Sequence, residues 1–148
     1  MRSVLLAAIL LVVGQSASQA QLSIVDGPID AAVLEVTDGD TFRFEGYHFP
    51  EQLTRGRLRV YGIDTPERNG SCPEEKTKAE MARLYAEGLF LEAGNRVKLY
   101  TIGLDGKGGG GFGRYLARVK VGNLWLDEEL IRVGLARPNF GEKRLPWC

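Results

Sequence analysis

Three short runs carry most of the side chains able to do chemistry. They are Asp38-Gly39-Asp40-Thr41, then Asp64-Thr65-Pro66-Glu67 with Arg59 five residues before Asp64, then Gly113-Arg114. Each has an ordinary explanation when taken singly. Asp38-Gly39 makes a turn, Asp64 ends a strand, and Arg59 and Arg114 are solvated strand residues. Taken together they suit one kind of reaction. Two carboxylates at neighbouring strand ends offer the oxygen ligands that a hard cation such as Ca2+ prefers. Another carboxylate nearby can act as a general base, and two arginines present planar, permanently charged forks that match phosphate oxygens. A metal, a base and two guanidiniums are the parts needed to hydrolyse a phosphodiester.

The elements that must position these groups can be read from local pattern. Val33 to Thr37 is β-rich and breaks at Asp38-Gly39, a two-residue hairpin signal, with Thr41 to Phe44 as the return strand. Gly46 to Gly56 reads as a longer loop containing Pro50. Arg57 to Ile63 alternates, with Leu58 and Val60 on one side and Arg57, Arg59 and Tyr61 on the other. Ser71 is a candidate helix N-cap with Glu74 as its capping-box partner, and the helix runs to about Leu91. Met81, Leu84, Gly88 and Leu91 fall on one stripe, with Ala82, Tyr85 and Leu89 beside it. Arg96 to Thr101 and Arg114 to Val121 are further strands, the latter with Ala117, Val119 and Val121 on one face. Gly122-Asn123 turns the chain, and Asp127 caps a short helix ending at Gly134. Five short strands with a helix after the third predict a small closed or nearly closed antiparallel barrel, mainly β with helices, in an order that fits an OB-like fold.

The chain has 148 residues, 44% of them hydrophobic and 26% charged, which fits one globular domain and excludes disordered, collagen-like and coiled-coil classes. Residues 1–20 read as a secretory signal peptide: Arg2, then ten apolar residues from Val4 to Val13, then Ser18-Gln19-Ala20. Ten residues rise about 15 Å as a helix, against a hydrocarbon core of about 30 Å, so the run is too short to span a bilayer. A mature domain 21–148 is expected, exported to the periplasm or the medium, without membrane insertion and monomeric. In an oxidising compartment two cysteines usually pair. Cys72 and Cys148 are expected to do so, against two free thiols or an intermolecular bond through Cys148.

The same residues resemble the staphylococcal nuclease (thermonuclease) family. The matching pieces are Val36-Thr37-Asp38-Gly39-Asp40-Thr41, Arg59-Val60-Tyr61-Gly62-Ile63-Asp64-Thr65-Pro66-Glu67, Gly113-Arg114-Tyr115-Leu116-Ala117, and Leu130 with Gly134-Leu135-Ala136. They occur in the family's order at near-family spacing, across about Ala31 to Phe140. The resemblance implies a five-stranded OB-fold barrel and a nuclease acting on DNA and RNA, single- or double-stranded, that leaves 3′-phosphate ends. It implies that Asp40, Asp64 and the backbone carbonyl of Thr65 hold Ca2+, with Asp38 and Thr41 supporting them. Glu67 would orient or deprotonate the attacking water, and Arg59 and Arg114 would grip the scissile phosphate.

The departures from the family are local. Gly110-Gly111-Phe112 stands where the family often has Asp-Lys-Tyr, so Phe112 lacks a hydroxyl for a terminal phosphate. Phe140 keeps a stacking face where the family can place tyrosines. The sequence after Phe140 leaves no room for the family's last long helix, and a Cys72–Cys148 bond is expected to take over part of its stabilising role by tying the tail to the segment after Glu67. His48 reads as a solvated loop residue, and Trp125 and Trp147 as packing groups.

Nineteen basic and nineteen acidic side chains cancel, and loss of Arg2 with the signal leaves net −1. Nucleic-acid binding is therefore expected to be weak without Ca2+ and shallow in its salt dependence, with Arg55, Arg57 and Arg59, or Arg114, Arg118 and Lys120, as local positive clusters. The competing classes are a non-catalytic OB module that binds nucleic acid or peptide and a disulfide-stapled structural protein of the envelope.

Overall fold

The computed structural model describes residues 25–105 and 113–148. The expected signal segment, residues 1–20, and Gly110-Gly111-Phe112 lie outside them. The elements are β1 (Ile29–Asp38), β2 (Thr41–Phe49), β3 (Gln52–Val60), β4 (Ile63–Asp64), α1 (Pro73–Glu92), β5 (Arg96–Leu104), β6 (Tyr115–Val121), β7 (Leu124–Trp125), α2 (Leu126–Arg132) and β8 (Arg137–Pro138).

The main sheet runs β3-β2-β1-β5-β6-β7, and a further pairing of β3 with β6 closes five of these strands into a barrel. That closing pair is parallel, whereas the neighbours β3-β2-β1-β5-β6 are all antiparallel. The expectation of a wholly antiparallel barrel is corrected here, and the reason is parity. Strand direction alternates along the five, so the first and fifth run the same way and must meet in parallel.

The alternation read from β3 and β6 holds: Leu58, Val60, Ala117 and Val119 are fully buried, as are Phe42 and Phe44 opposite them. Helix α1 covers the barrel, with the Phe90 ring 5.0 Å from that of Phe42. Its buried face is not the expected stripe. Met81, Leu84 and Leu91 are more than half exposed, while Ala79, Ala82, Ala86 and Phe90 are buried. Small residues face inward because the β1–β2 turn presses close. A Cβ on Gly39 would lie 2.7 Å from that of Ala82. A larger side chain at either position would separate turn and helix.

Four local readings shift. The β1–β2 loop is Gly39-Asp40, since Asp38 pairs with Thr41. Residues 46–56 are not a loop. They extend β2 and β3 into an exposed hairpin with Phe49 opposite Gln52, and its turn residue Glu51 has φ 68°. This arm rises clear of the core, so burial imposed no apolar alternation on it. The N-cap of α1 is Cys72, whose sulfur accepts from the Glu75 N–H, and Pro73 follows at the first helical position. Glu75, not Glu74, reaches back to accept from the Ser71 and Glu67 N–H groups. Helix α2 is preceded by Trp125, with no side-chain cap. Asp127 lies inside its first turn and binds Arg118 instead.

Cys72 and Cys148 are bonded, with Cα atoms 6.1 Å apart, as expected for a chain in an oxidising compartment. Among the described residues no helix is long and apolar enough to cross a membrane.

Candidate functional site

The hairpin turn delivers the first carboxylate. The backbone carbonyl of Asp40 accepts from the Val60 N–H at 2.8 Å, which ties the turn to β3. The Thr41 hydroxyl donates to Asp40 Oδ1 at 2.9 Å. Thr41 also faces Arg59 across the β2–β3 register, so Arg59 rises from the outer face of β3 beside this turn. Its Nη2 lies 3.3 Å from Asp40 Oδ2 and 4.0 Å from Asp64 Oδ1, and it donates to the Ile63 carbonyl. The two carboxylates thus converge on one nitrogen. Asp64 is held by β4, which pairs with β8 through Asp64 and Arg137.

Arg114 precedes β6. Its carbonyl accepts from the Asp105 N–H, and its Nη2 donates to Asp105 Oδ2 at 2.9 Å. Asp38, Asp40, Thr41, Arg59, Asp64, Thr65, Glu67 and Arg114 all line one cavity of about 150 Å³. Every site residue expected from the three runs is therefore in one place. An adjoining groove of about 670 Å³ is lined by Tyr61, Phe140, Arg59, Arg114, Glu67 and Arg144 among others. Phe140 is well exposed there and meets Tyr61 edge-on with ring centres 5.7 Å apart.

Asp40, Asp64 and Thr65 are each more than nine-tenths buried. Burial pushes the Asp40 carboxyl up from its ordinary range, against the pull of Arg59 and the Thr41 hydroxyl. Asp38 is raised as well, by burial first and then by the charge of Asp40. Buried carboxylates that hold protons too tightly are relieved by a cation, and oxygen donors from two aspartates and a carbonyl suit a hard one.

Sequence reasoning missed a second set of groups. The tail carries Arg144 into the same cluster. Its guanidinium donates to Asp64 Oδ2 at 3.3 Å, the Thr65 carbonyl at 3.1 Å and Glu75 Oε1 at 2.9 Å, and it pairs with Glu67. The Trp147 indole N–H donates to Asp64 Oδ2 at 3.0 Å, and Arg137 stacks on the Trp147 ring at 3.6 Å. Trp147 is thus more than a packing group, because it touches a site carboxylate. Trp125 does pack, beneath Arg118 and against Tyr100. Burial pushes the Glu75 carboxyl up, but the Glu67 and Ser71 N–H groups, Arg144 and Arg137 outweigh it, and the net shift is downward. The one available signal was Cys148: once it is tied to Cys72 beside Glu67, the residues just before it must lie near the site.

His48 shares a hydrogen bond with Thr54 on the exposed hairpin, away from this cavity. The sulfurs of Cys72 and Cys148 and a Glu75 oxygen lie within 4.8 Å of one another. With the sulfurs bonded to each other, neither is a thiolate ligand.

No family model matches the chain, and no curated protein matches it significantly.

Proposed function

We propose that this protein is an exported, Ca2+-dependent nuclease of the staphylococcal nuclease type, built on an OB barrel. It hydrolyses phosphodiester bonds of DNA and RNA with little sequence specificity and leaves 3′-phosphate ends. The observation that carries the reading is the single 150 Å³ cavity shared by Asp40, Asp64, Glu67, Arg59 and Arg114.

Asp40, Asp64 and the Thr65 carbonyl would hold Ca2+, which when bound supplies Lewis-acid stabilisation of the phosphate. The remaining work falls to this chain's own side chains. Arg59 and Arg114 grip the non-bridging oxygens and stabilise the charge that grows on them; one such donor is worth about 10²–10³ in rate. Glu67 takes the proton from the attacking water, a role worth about 10²–10⁴. The water oxygen bonds to phosphorus, the bond to the 5′ oxygen breaks, and that oxygen takes up a proton from solvent. The Arg144 guanidinium holds Glu67 Oε1, so it must let go of that oxygen before a water can donate to it. Exposed Phe140, with Tyr61 beside it, offers a face on which a base can stack.

One observation favours a different reading. Arg144, Arg137 and Arg59 already neutralise the site carboxylates, as they would in a non-catalytic OB module. The deciding experiment is digestion of single-stranded DNA and RNA by the purified protein with Ca2+ and with chelator. The nuclease reading requires chelator-sensitive cleavage that Asp40→Ala or Arg114→Ala abolishes. Binding without cleavage selects the module.

A further inference from the structure

We infer that the outer face of β3, together with Arg43 of β2 and Tyr115 of β6, is a binding track for the backbone of a single-stranded nucleic acid that extends beyond the catalytic cavity. The inference rests on the nuclease reading for its direction, but its binding test does not depend on catalysis.

Alternation along β3 sets Leu58 and Val60 inward and Arg55, Arg57 and Arg59 outward. Residues two apart on a strand are about 6.7 Å apart. Three guanidiniums therefore stand in file from the exposed hairpin to the cavity, where Arg59 meets Asp40. The register places Arg43 directly across from Arg57. Like charges facing each other across strands are destabilising, so the fold carries a local repulsion that an anion would relieve. Among the described residues Arg43 pairs with Glu35 alone, at 3.6 Å, with both side chains about 60% exposed. Arg57 makes no hydrogen bond or ion pair among the described residues. Arg55 pairs with Glu45 on the exposed rim.

These arginines line a groove of about 550 Å³ whose floor includes Gly56 and Tyr115. The Tyr115 ring lies directly over Gly56, where a Cβ would come within 2.7 Å of a ring carbon. Phe44 supports the same ring edge-on at 5.4 Å. A half-buried tyrosine braced from below and flanked by guanidiniums is a stacking platform for a base beside anchors for its phosphates. The track is continuous with the cavity: Tyr115 follows Arg114, and the parallel β3–β6 register sets Leu58 beside Tyr115 and Arg59 beside Leu116.

The partner class follows from the charge distribution. The chain is neutral overall, and several basic groups elsewhere are engaged. Arg118, for example, binds both Asp127 and Glu128. On this face Arg43, Arg55 and Arg59 are partnered by Glu35, Glu45 and Asp40, so Arg57 carries the uncompensated positive charge, in line with the other guanidiniums and next to a ring. A globular acidic surface needs neither the file nor the platform, whereas a strand of alternating phosphates and bases uses both.

The test compares wild type with Arg43→Gln/Arg57→Gln and with Tyr115→Leu, which keeps apolar packing on Gly56 and Phe44. Binding of a fluorescent twelve-nucleotide single strand is measured in chelator across a salt series, with a trinucleotide in parallel. The double variant is expected to keep or raise its melting temperature, because a repulsion is removed. It should lose affinity for the twelve-mer by about tenfold and lower the salt slope by about 1.4, at about 0.7 per phosphate contact. Tyr115→Leu should lower twelve-mer affinity by about tenfold with little change in slope. Trinucleotide binding should be unaffected in both. Unchanged twelve-mer binding, or equal loss on both ligands, overturns the track. So does competition by poly-aspartate as effective as by the oligonucleotide, which would reassign the face to an acidic peptide. If the wild type binds the twelve-mer through these residues but cleaves nothing with Ca2+, the nuclease reading fails and the track stands.

Discussion

Cutting the Cys72–Cys148 bond tests how the tail is held and what it does at the site. The bond joins residues 76 apart. Closing a loop of that length removes unfolded-state entropy worth about 4.5 kcal/mol at 25 °C. For a domain of this size each kcal/mol moves Tm by about 3–5 °C, so the loss should be about 14–23 °C. The clean perturbation is the double variant Cys72→Ser/Cys148→Ser. Serine at 72 keeps an oxygen to cap α1, where the sulfur now accepts from Glu75 N–H, so the helix start is preserved. Thermal melts followed by circular dichroism, with and without reductant, give the shift. Reductant should lower the wild-type Tm by the amount the double variant loses and should not affect the variant. The tail also has its own reporter. Trp147 is stacked under Arg137 and bonded to Asp64, while Trp125 sits elsewhere under Arg118. Release should red-shift part of the tryptophan emission below the melting transition. A wild-type Tm that moves by less than about 2 °C on full reduction would refute the entropic argument, because loop length alone demands more.

The remaining expectations are narrower. Arg144→Gln removes a cation from Asp64, the Thr65 carbonyl and Glu67, and one charge at about 4 Å is worth about 1–4 kcal/mol in a solvent-accessible site. Ca2+ affinity measured by calorimetry should therefore rise at least about fivefold; unchanged affinity would show that Arg144 and the ion do not compete. Gly39→Val drives a branched side chain into Ala82 and should cost about 1–3 kcal/mol, read as a lower Tm; an unchanged Tm would deny the close approach of turn and helix. Glu129 is lowered to about 2, first by its bonds from Arg132 and then by the Tyr85 hydroxyl. Its contribution is present above the ordinary carboxylate value and lost as pH falls toward 2. Glu129→Gln should flatten the acid limb of stability between about pH 4.5 and 2 in urea melts.

Much of this protein was legible residue by residue. Strand alternation in β3 and β6 names the core positions Leu58, Val60, Ala117 and Val119, because burial of one face demands a period of two. The three chemistry-bearing runs could be picked out by residue type, and two cysteines suggested a crosslink that is present. Failures came where local pattern carries no information about the neighbour. The exposed β2–β3 arm lacks apolar alternation because nothing covers it. The face of α1 that turns inward is set by how near the Gly39 turn comes, so alanines win over Met81, Leu84 and Leu91.

The amino-acid sequence by itself determined which groups exist, which strand faces are apolar and where the chain must turn, since these depend on contacts a few residues long. The parallel closure of β3 on β6, the meeting of five charged groups in one cavity and the arrival of Arg144 and Trp147 at Asp64 were decided only by tertiary structure. Those contacts join residues as many as 83 positions apart. Electrostatic and hydrogen-bond energies depend on distance in space, and only barrel closure and the crosslinked tail set those distances.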